Sequence, residues 1–269
     1  ILYCGDYIVD DFVAAYPNIK DEWFLVSTTQ SHVVPKNVAP DLHLYSTDDG
    51  QPAQEYLESA AGEIPCIIMG CGHFVDPEVF YPTEQEKEYD LIYVAKWAPT
   101  KRIENILEAA KLDPSLNILI VSFPVVSERK RAQSDAYREQ ILGMKEDLGL
   151  DNVTIIEPPT ENHVNEDGSF VVGGFSKEEM NSFYNMAKMT ILAADSGEGI
   201  NRSLGEAMCC DLPVLLTKDT WGGVQTLVNE QTGVRVGADP VEIAAAINFV
   251  RENRDRFSPR DWFAGNYGK

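Results

Sequence analysis

The 269-residue sequence predicts an α/β fold built on a doubly wound parallel sheet. Three observations carry that expectation. From Asp90 onward, short apolar runs alternate with segments of helical period, the signature of repeated βα units. The stretch from Met189 to Gly223 holds one complete unit: apolar run, polar turn, helix-period segment, second apolar run. Hydrophobic residues make up 44% of the chain, enough for a core, and no run approaches the ~18 apolar residues of a membrane span.

In chain order, Ile1–Cys4 reads as a short strand and Tyr7–Ala15 as a helix with Ile8, Phe12 and Ala15 on one face. Trp23–Ser27 and His43–Ser46 are strand-like, with loop-like Ser31–Ala39 between them. Pro52–Ala61 reads as a helix, because proline suits a first turn. Ile64–Met69 is a buried strand, and the charged Thr83–Glu88 a linker. Strands are expected at Leu91–Ala95, Leu116–Ser122 and Val153–Ile156, and helices at Ile103–Lys111 and Ser134–Leu148. Asn165-Glu166-Asp167-Gly168 is a hairpin-turn signal, so an inserted hairpin is expected within Glu161–Gly174. Ser176 with Glu179 forms a capping box for a helix running to about Ala187. Then follow the strand Met189–Ala194, the helix Arg202–Cys210, the strand Leu212–Thr217, a turn at Gly233, the strand Val234–Val236 and a helix from Pro240 to about Asn253.

Two carboxylates punctuate the Met189–Gly223 unit: Glu198 in the turn and Glu206 in the helix, with seven residues between them. Asn201 is placed to cap that helix, whose first-turn N–H groups then point back towards Gly199 and Ile200. This makes an anion site beside a carboxylate. Gly199 has no Cβ, so a ligand can approach the backbone closely. Glu206 lies off the apolar stripe of Leu204, Ala207 and Met208. A ligand with a phosphate at the helix start and hydroxyls on either side suits this layout, as in a nucleotide-sugar.

The run Glu198-Gly199-Ile200-Asn201-Arg202-Ser203-Leu204-Gly205-Glu206-Ala207-Met208-Cys209-Cys210-Asp211-Leu212-Pro213-Val214 resembles the E-x7-E segment of retaining, GT-B-fold glycosyltransferases of family 4 (glycosyl transferases group 1). Ile200, Asn201 and Asp211 depart from the residues usual there. Ile67 to Pro82 similarly resembles the family's crossover from acceptor to donor domain. The resemblance implies a partial N-terminal acceptor-side domain over 1–85 and a Rossmann-like donor domain over 86–269. It implies that Glu206 binds ribose hydroxyls and Glu198 the donor sugar, with Gly199, Ile200, Asn201 and Ser203 completing the donor site. Lys96 and Lys101 match a basic pair that neutralises the diphosphate, which would let charge develop on the leaving group without a metal. Lys96 stands where arginine is usual, and lysine lacks the bidentate fork. The family's acceptor-domain histidine has no match here. The chain also reads as covering only the second half of the acceptor domain, so it is expected to bind nucleotide with little transfer.

Composition excludes other classes. The net charge of −21 disfavours nucleic acid and anionic membrane as partners. The five cysteines lack CxxC spacing and the four histidines lack metal-ligand spacing, so reduced thiols in a cytoplasmic protein and no metal are expected. No P-loop, Gly-x-Ser-x-Gly or complete Gly-x-Gly-x-x-Gly occurs. Arg102 and the basic run Arg129-Lys130-Arg131 read as surface. The expected partners are a nucleotide-sugar donor and a sugar, glycan or lipid-linked acceptor; no cofactor is expected. Two other readings stay open. One is a non-catalytic nucleotide-sugar binding module. The other is a GT-B relative such as a sugar-nucleotide epimerase or a phosphorylase, which a pyridoxal-phosphate absorbance band would reveal.

Overall fold

A computed structural model describes residues 2–5, 14–29, 41–45, 66–68, 71–125, 128–158, 163–164, 170–171 and 174–267. Among these, four strands, β1 (Leu2–Gly5), β2 (Leu25–Thr29), β3 (Leu42–Tyr45) and β4 (Cys66–Ile68), form a parallel sheet in sequence order. The short helix α1 (Ile19–Glu22) precedes β2. The expected helix Pro52–Ala61, the loop Ser31–Ala39 and most of the helix Tyr7–Ala15 lie outside the described residues.

The second sheet is built from β5 (Tyr89–Lys96), β6 (Ile118–Phe123), β7 (Val153–Ile156), β10 (Ala187–Leu192), β11 (Val214–Thr217) and β12 (Gly233–Val236). All its pairings are parallel, in the order β12-β11-β10-β5-β6-β7. The chain therefore winds one way from β5 and then the other way from β10. The order reverses between β5 and β10, where the crevice outside the strands' carboxyl ends takes ligands in such sheets. Strands of a sheet covered on both faces need continuous apolar runs, and β11 is buried at every position. Gly233, expected in a turn, is instead the first residue of β12, paired with Val214. The hairpin is present as β8 (His163–Val164) antiparallel to β9 (Phe170–Val171); its turn lies outside the described residues.

Helices α2 (Ile103–Leu112), α3 (Glu128–Leu148), α4 (Lys177–Asn185), α5 (Arg202–Cys209), α6 (Pro240–Glu252) and α7 (Pro259–Asn266) are the longer helices among the described residues. Helix α3 begins six residues before the expected Ser134, so Arg129-Lys130-Arg131 form part of its exposed first turn. Helix α4 carries the expected capping box: Ser176 Oγ accepts from Glu179 N–H at 3.1 Å, and Glu179 Oε2 accepts from Ser176 N–H at 2.7 Å. Ser176→Ala should destabilise the protein by about 1 kcal/mol, read as a lower urea midpoint at constant slope. An unchanged midpoint would show that tertiary contacts alone hold the helix start.

Helix α5 is set against the crossover. A Cβ on Gly205 would lie 2.8 Å from the carbonyl oxygen of Gly72, so only glycine lets the helix reach the 3-10 turn Cys71–Phe74. Gly72 N–H donates to the Ile200 carbonyl at 2.8 Å. From α7, the Arg260 guanidinium donates to the carbonyls of Phe80 (3.0 Å), Pro77 (3.1 Å) and Cys209. Crossover, α5 and α7 are thereby tied around the base of the candidate site.

Candidate functional site

A cleft of about 490 Å³ opens at the carboxyl ends of β5 and β10, at the switch point of the sheet. Four elements bring its polar groups. Strand β5 ends in Lys96, and Lys101 follows in the 3-10 turn Pro99–Lys101. The turn after β10 brings Glu198. Helix α5 begins at the cleft with Arg202 and Ser203 and sends Glu206 into it, while Phe123, Phe175 and Met180 supply an apolar side.

The expected cap is present. Asn201 Oδ1 accepts from the Ser203 N–H at 3.0 Å and from the Ser203 hydroxyl at 2.6 Å. The same side chain donates through Nδ2 to Glu198 Oε2 at 3.3 Å. One amide thus caps the helix and orients the turn carboxylate. Among the described residues, the N–H groups of Gly199, Ile200, Asn201 and Arg202 form no backbone hydrogen bond. Such orphan donors at a helix start are the groups an anion takes up. The Ile200 side chain is buried in the core, so its amide is what it can offer a ligand.

Glu198 is fixed from both sides. Its N–H donates to the Trp221 carbonyl at 2.9 Å, and its own carbonyl accepts from Val224 N–H at 3.2 Å. The Trp221 ring lies over Gly197, where any Cβ would meet it at 2.5 Å. The carboxylate pairs with the Lys101 ammonium, each side chain 16% exposed. Lys96 is exposed on the same wall.

Glu206 is 5% exposed and accepts from the Tyr184 hydroxyl at 3.0 Å and from Arg202 Nε at 2.8 Å. Burial raises its carboxyl pKa above the ordinary value, opposed by the Arg202 charge and the two hydrogen bonds. Burial likewise raises the Tyr184 hydroxyl well above its usual value, and the Glu206 charge adds to that. The phenol therefore stays a donor at neutral pH.

The structure brings together Glu198, Lys96, Lys101, Glu206, Asn201 and Ser203 around one cleft. Two participants were not singled out from the sequence. Arg202 stands one turn before Glu206, a spacing that signals a pair on a helix face. Tyr184 comes from α4, and no local pattern connects it to Glu206. Arg102, read as a surface residue, is instead a brace: its guanidinium reaches Asp219 at 2.6 Å and Asp195 at 3.3 Å, and its backbone is left-handed at φ 48°. It holds the loops after β10 and β11 against the Lys101 turn.

The family model described as "Glycosyl transferases group 1" matches residues 76–262, more than half of the chain. The chain belongs to the glycosyl transferases group 1 family. Its match runs from the crossover to α7 and contains every candidate site residue. A curated relative, lipopolysaccharide 1,2-N-acetylglucosaminetransferase of Salmonella typhimurium, is 24% identical over 165 residues, 60% of this chain and 38% of the relative. The chain thus spans well under half the length of that relative. Sucrose-phosphate synthase from Thermosynechococcus elongatus superposes with a TM-score of 0.66 at 17% identity, covering 98% of this chain and 69% of that one. Anabaena Alr3699/HepE, solved in complex with UDP and glucose, gives 0.67 at 14% identity, covering 95% and 71%. These likenesses establish the GT-B glycosyltransferase fold for the chain. Among the described residues, no helix is long and apolar enough to cross a membrane.

Proposed function

We propose that this group 1 glycosyltransferase chain uses a nucleoside-diphosphate sugar as donor and transfers the sugar with retention, in the manner of family 4. The observation that carries the reading is the convergence of Lys101, Glu198, the open α5 start and Glu206 at the switch-point cleft. Residues 86–269 form the donor side and residues 1–85 the acceptor side. The ribose hydroxyls donate to Glu206, which Tyr184 and Arg202 hold in place. The diphosphate lies against the free amides at the α5 start, with Lys101 and Lys96 beside it. Glu198 accepts from hydroxyls of the donor sugar near the reacting carbon.

In the reaction, the bond between the anomeric carbon and the diphosphate oxygen breaks, the acceptor hydroxyl oxygen bonds to the same face of the sugar, and its proton passes to the departing diphosphate oxygen. Negative charge builds on the departing diphosphate. Two ammonium groups and the amides at the helix start stabilise that charge, so no metal is required in this scheme. The acceptor is a hydroxyl of a sugar, glycan or lipid-linked acceptor. A HepE structure holds UDP and glucose, which makes UDP-glucose a reasonable first probe.

A thermal-shift screen of nucleoside diphosphates and their sugars tests the reading. A saturable rise in melting temperature with at least one nucleoside diphosphate, larger than with the matching nucleoside, is expected. No rise with any of them at millimolar concentration would remove the basis for a donor site.

A further inference from the structure

A second cavity, of about 260 Å³, lies at the opposite end of the six-stranded sheet, by the amino ends of β10 and β11. It is lined by four cations, Lys87, Lys188, Arg251 and Arg254, and one carboxylate, Asp211. That grouping runs against a chain with 43 acidic and 22 basic residues. Two carboxylates offset part of the charge. Lys188 Nζ reaches the buried Asp90 at 2.9 Å, with Arg251 3.8 Å from the same oxygen. Arg254 Nη2 meets Asp211 Oδ2 at 2.6 Å. Lys87 forms no hydrogen bond or ion pair with any described residue, although it is half-buried. Burial lowers its pKa below the ordinary lysine value, and the nearby Arg254 pushes the same way, against the opposing influence of Cys210 and Asp211.

Four cations against the two carboxylates paired directly with them, with Asp113 a more distant negative charge acting on Arg251, leave an excess of two positive charges around a concave space. Its floor is apolar, formed in part by Met189 and Leu212. We propose that this cavity is a phosphate-dianion site, separate from the donor cleft, with Lys87 as the cation left free for the ligand. A phosphate dianion matches the excess charge, and the volume and apolar floor leave room for the carbon body of a phosphate monoester. Lys87 lies in the Thr83–Glu88 segment that leads from the crossover into β5, and Arg251 and Arg254 lie at and just after the end of α6. A bound dianion would therefore clamp that segment to the sheet.

The test uses the purified chain at low ionic strength, titrated with inorganic phosphate or glycerol 3-phosphate, with sodium chloride of matched ionic strength as control. The melting temperature should rise saturably with both phosphates and not with chloride. Tighter action of glycerol 3-phosphate identifies a monoester site; equal action identifies a site for free phosphate. Lys87→Met should weaken the apparent affinity by roughly tenfold, the order expected for one charge-assisted contact. Because Lys87 supports no other group, this variant should fold, and it should melt no lower than wild type without phosphate. Lys101→Met, in the donor cleft, should leave the phosphate response intact. The proposal is overturned if neither phosphate shifts the melting temperature beyond chloride. It is equally overturned if Lys87→Met responds like wild type, or if the response disappears in Lys101→Met, which would place the anion in the donor cleft. Nucleoside-diphosphate binding is read in parallel on both variants, so failure here is distinct from failure of the donor site.

Discussion

Glu206→Ala should weaken nucleoside-diphosphate binding by roughly tenfold to a hundredfold, the effect of losing about 1.5–3 kcal/mol of hydrogen bonding to a charged group. The variant also strands the buried Tyr184 hydroxyl, which donates to Glu206 at 3.0 Å. Glu206→Gln isolates the charge, because it keeps an oxygen towards Arg202 and lets the Tyr184 hydroxyl accept from the new amide. The pH dependence then has a definite sign. Burial raises the folded pKa of Glu206 above its ordinary value. Between the unfolded and folded values the native state binds the extra proton, so this group's contribution to stability falls as pH rises through the folded value. Glu206→Gln should therefore melt higher than wild type at pH 8, with the gap closing as pH falls towards about 4, near the unfolded carboxyl value. Nucleotide affinity should run the other way. The wild type binds less tightly as pH falls and the carboxylate is neutralised, while Glu206→Gln binds weakly and with a flatter profile. Calorimetry across that range decides it; equal affinities for wild type and both variants would remove Glu206 from the site. A stabilising substitution that loses binding is the pattern expected where a buried charge is kept for a ligand.

The parts of this site that were legible in the sequence are the ones whose physics is local. The period of the apolar runs places β5, β10 and α5, and Asn201 is readable as a cap because its acceptor serves an amide two residues on. The Ser176–Glu179 box is readable for the same reason. Arg102 was not, because the sequence around it says nothing of Asp195 and Asp219, which reach it only once the loops after β10 and β11 fold together. Tyr184 was not, since its hydroxyl meets Glu206 only through the packing of α4 on α5. Arg202 was half-legible: its spacing from Glu206 predicts a pair, but such pairs are commonly solvent-exposed and weak. Burial of the Glu206 partner, which the sequence does not reveal, makes this one matter. Gly233 was misplaced because glycine signals a turn more often than the edge of a strand whose backbone crowds its neighbour; a Cβ there would lie 2.0 Å from the Val214 carbonyl.

Lys101→Met should lower nucleoside-diphosphate affinity by roughly tenfold to a hundredfold and leave nucleoside affinity nearly unchanged, because the ammonium faces phosphate in the proposed site. Part of that loss comes from Glu198. The two side chains neutralise each other across the cleft, so removing Lys101 exposes a carboxylate to the incoming diphosphate. Glu198→Gln does the reverse and frees Lys101. Its nucleoside-diphosphate affinity should hold or rise, while acceptor-dependent release of nucleoside diphosphate falls, since Glu198 is assigned to the donor sugar. The double variant should then bind nucleoside diphosphate more tightly than Lys101→Met alone, and by a larger factor than Glu198→Gln gains over wild type; a double-mutant cycle measures that difference as the coupling of the pair. Lys101 is paired with the Glu198 carboxylate. In the proposed site, donor binding would exchange that partner for the phosphate and leave Glu198 to the sugar hydroxyls. If Glu198→Gln weakens nucleoside-diphosphate binding as much as Lys101→Met does, the exchange does not occur, and the turn carboxylate belongs to the nucleotide instead of the sugar.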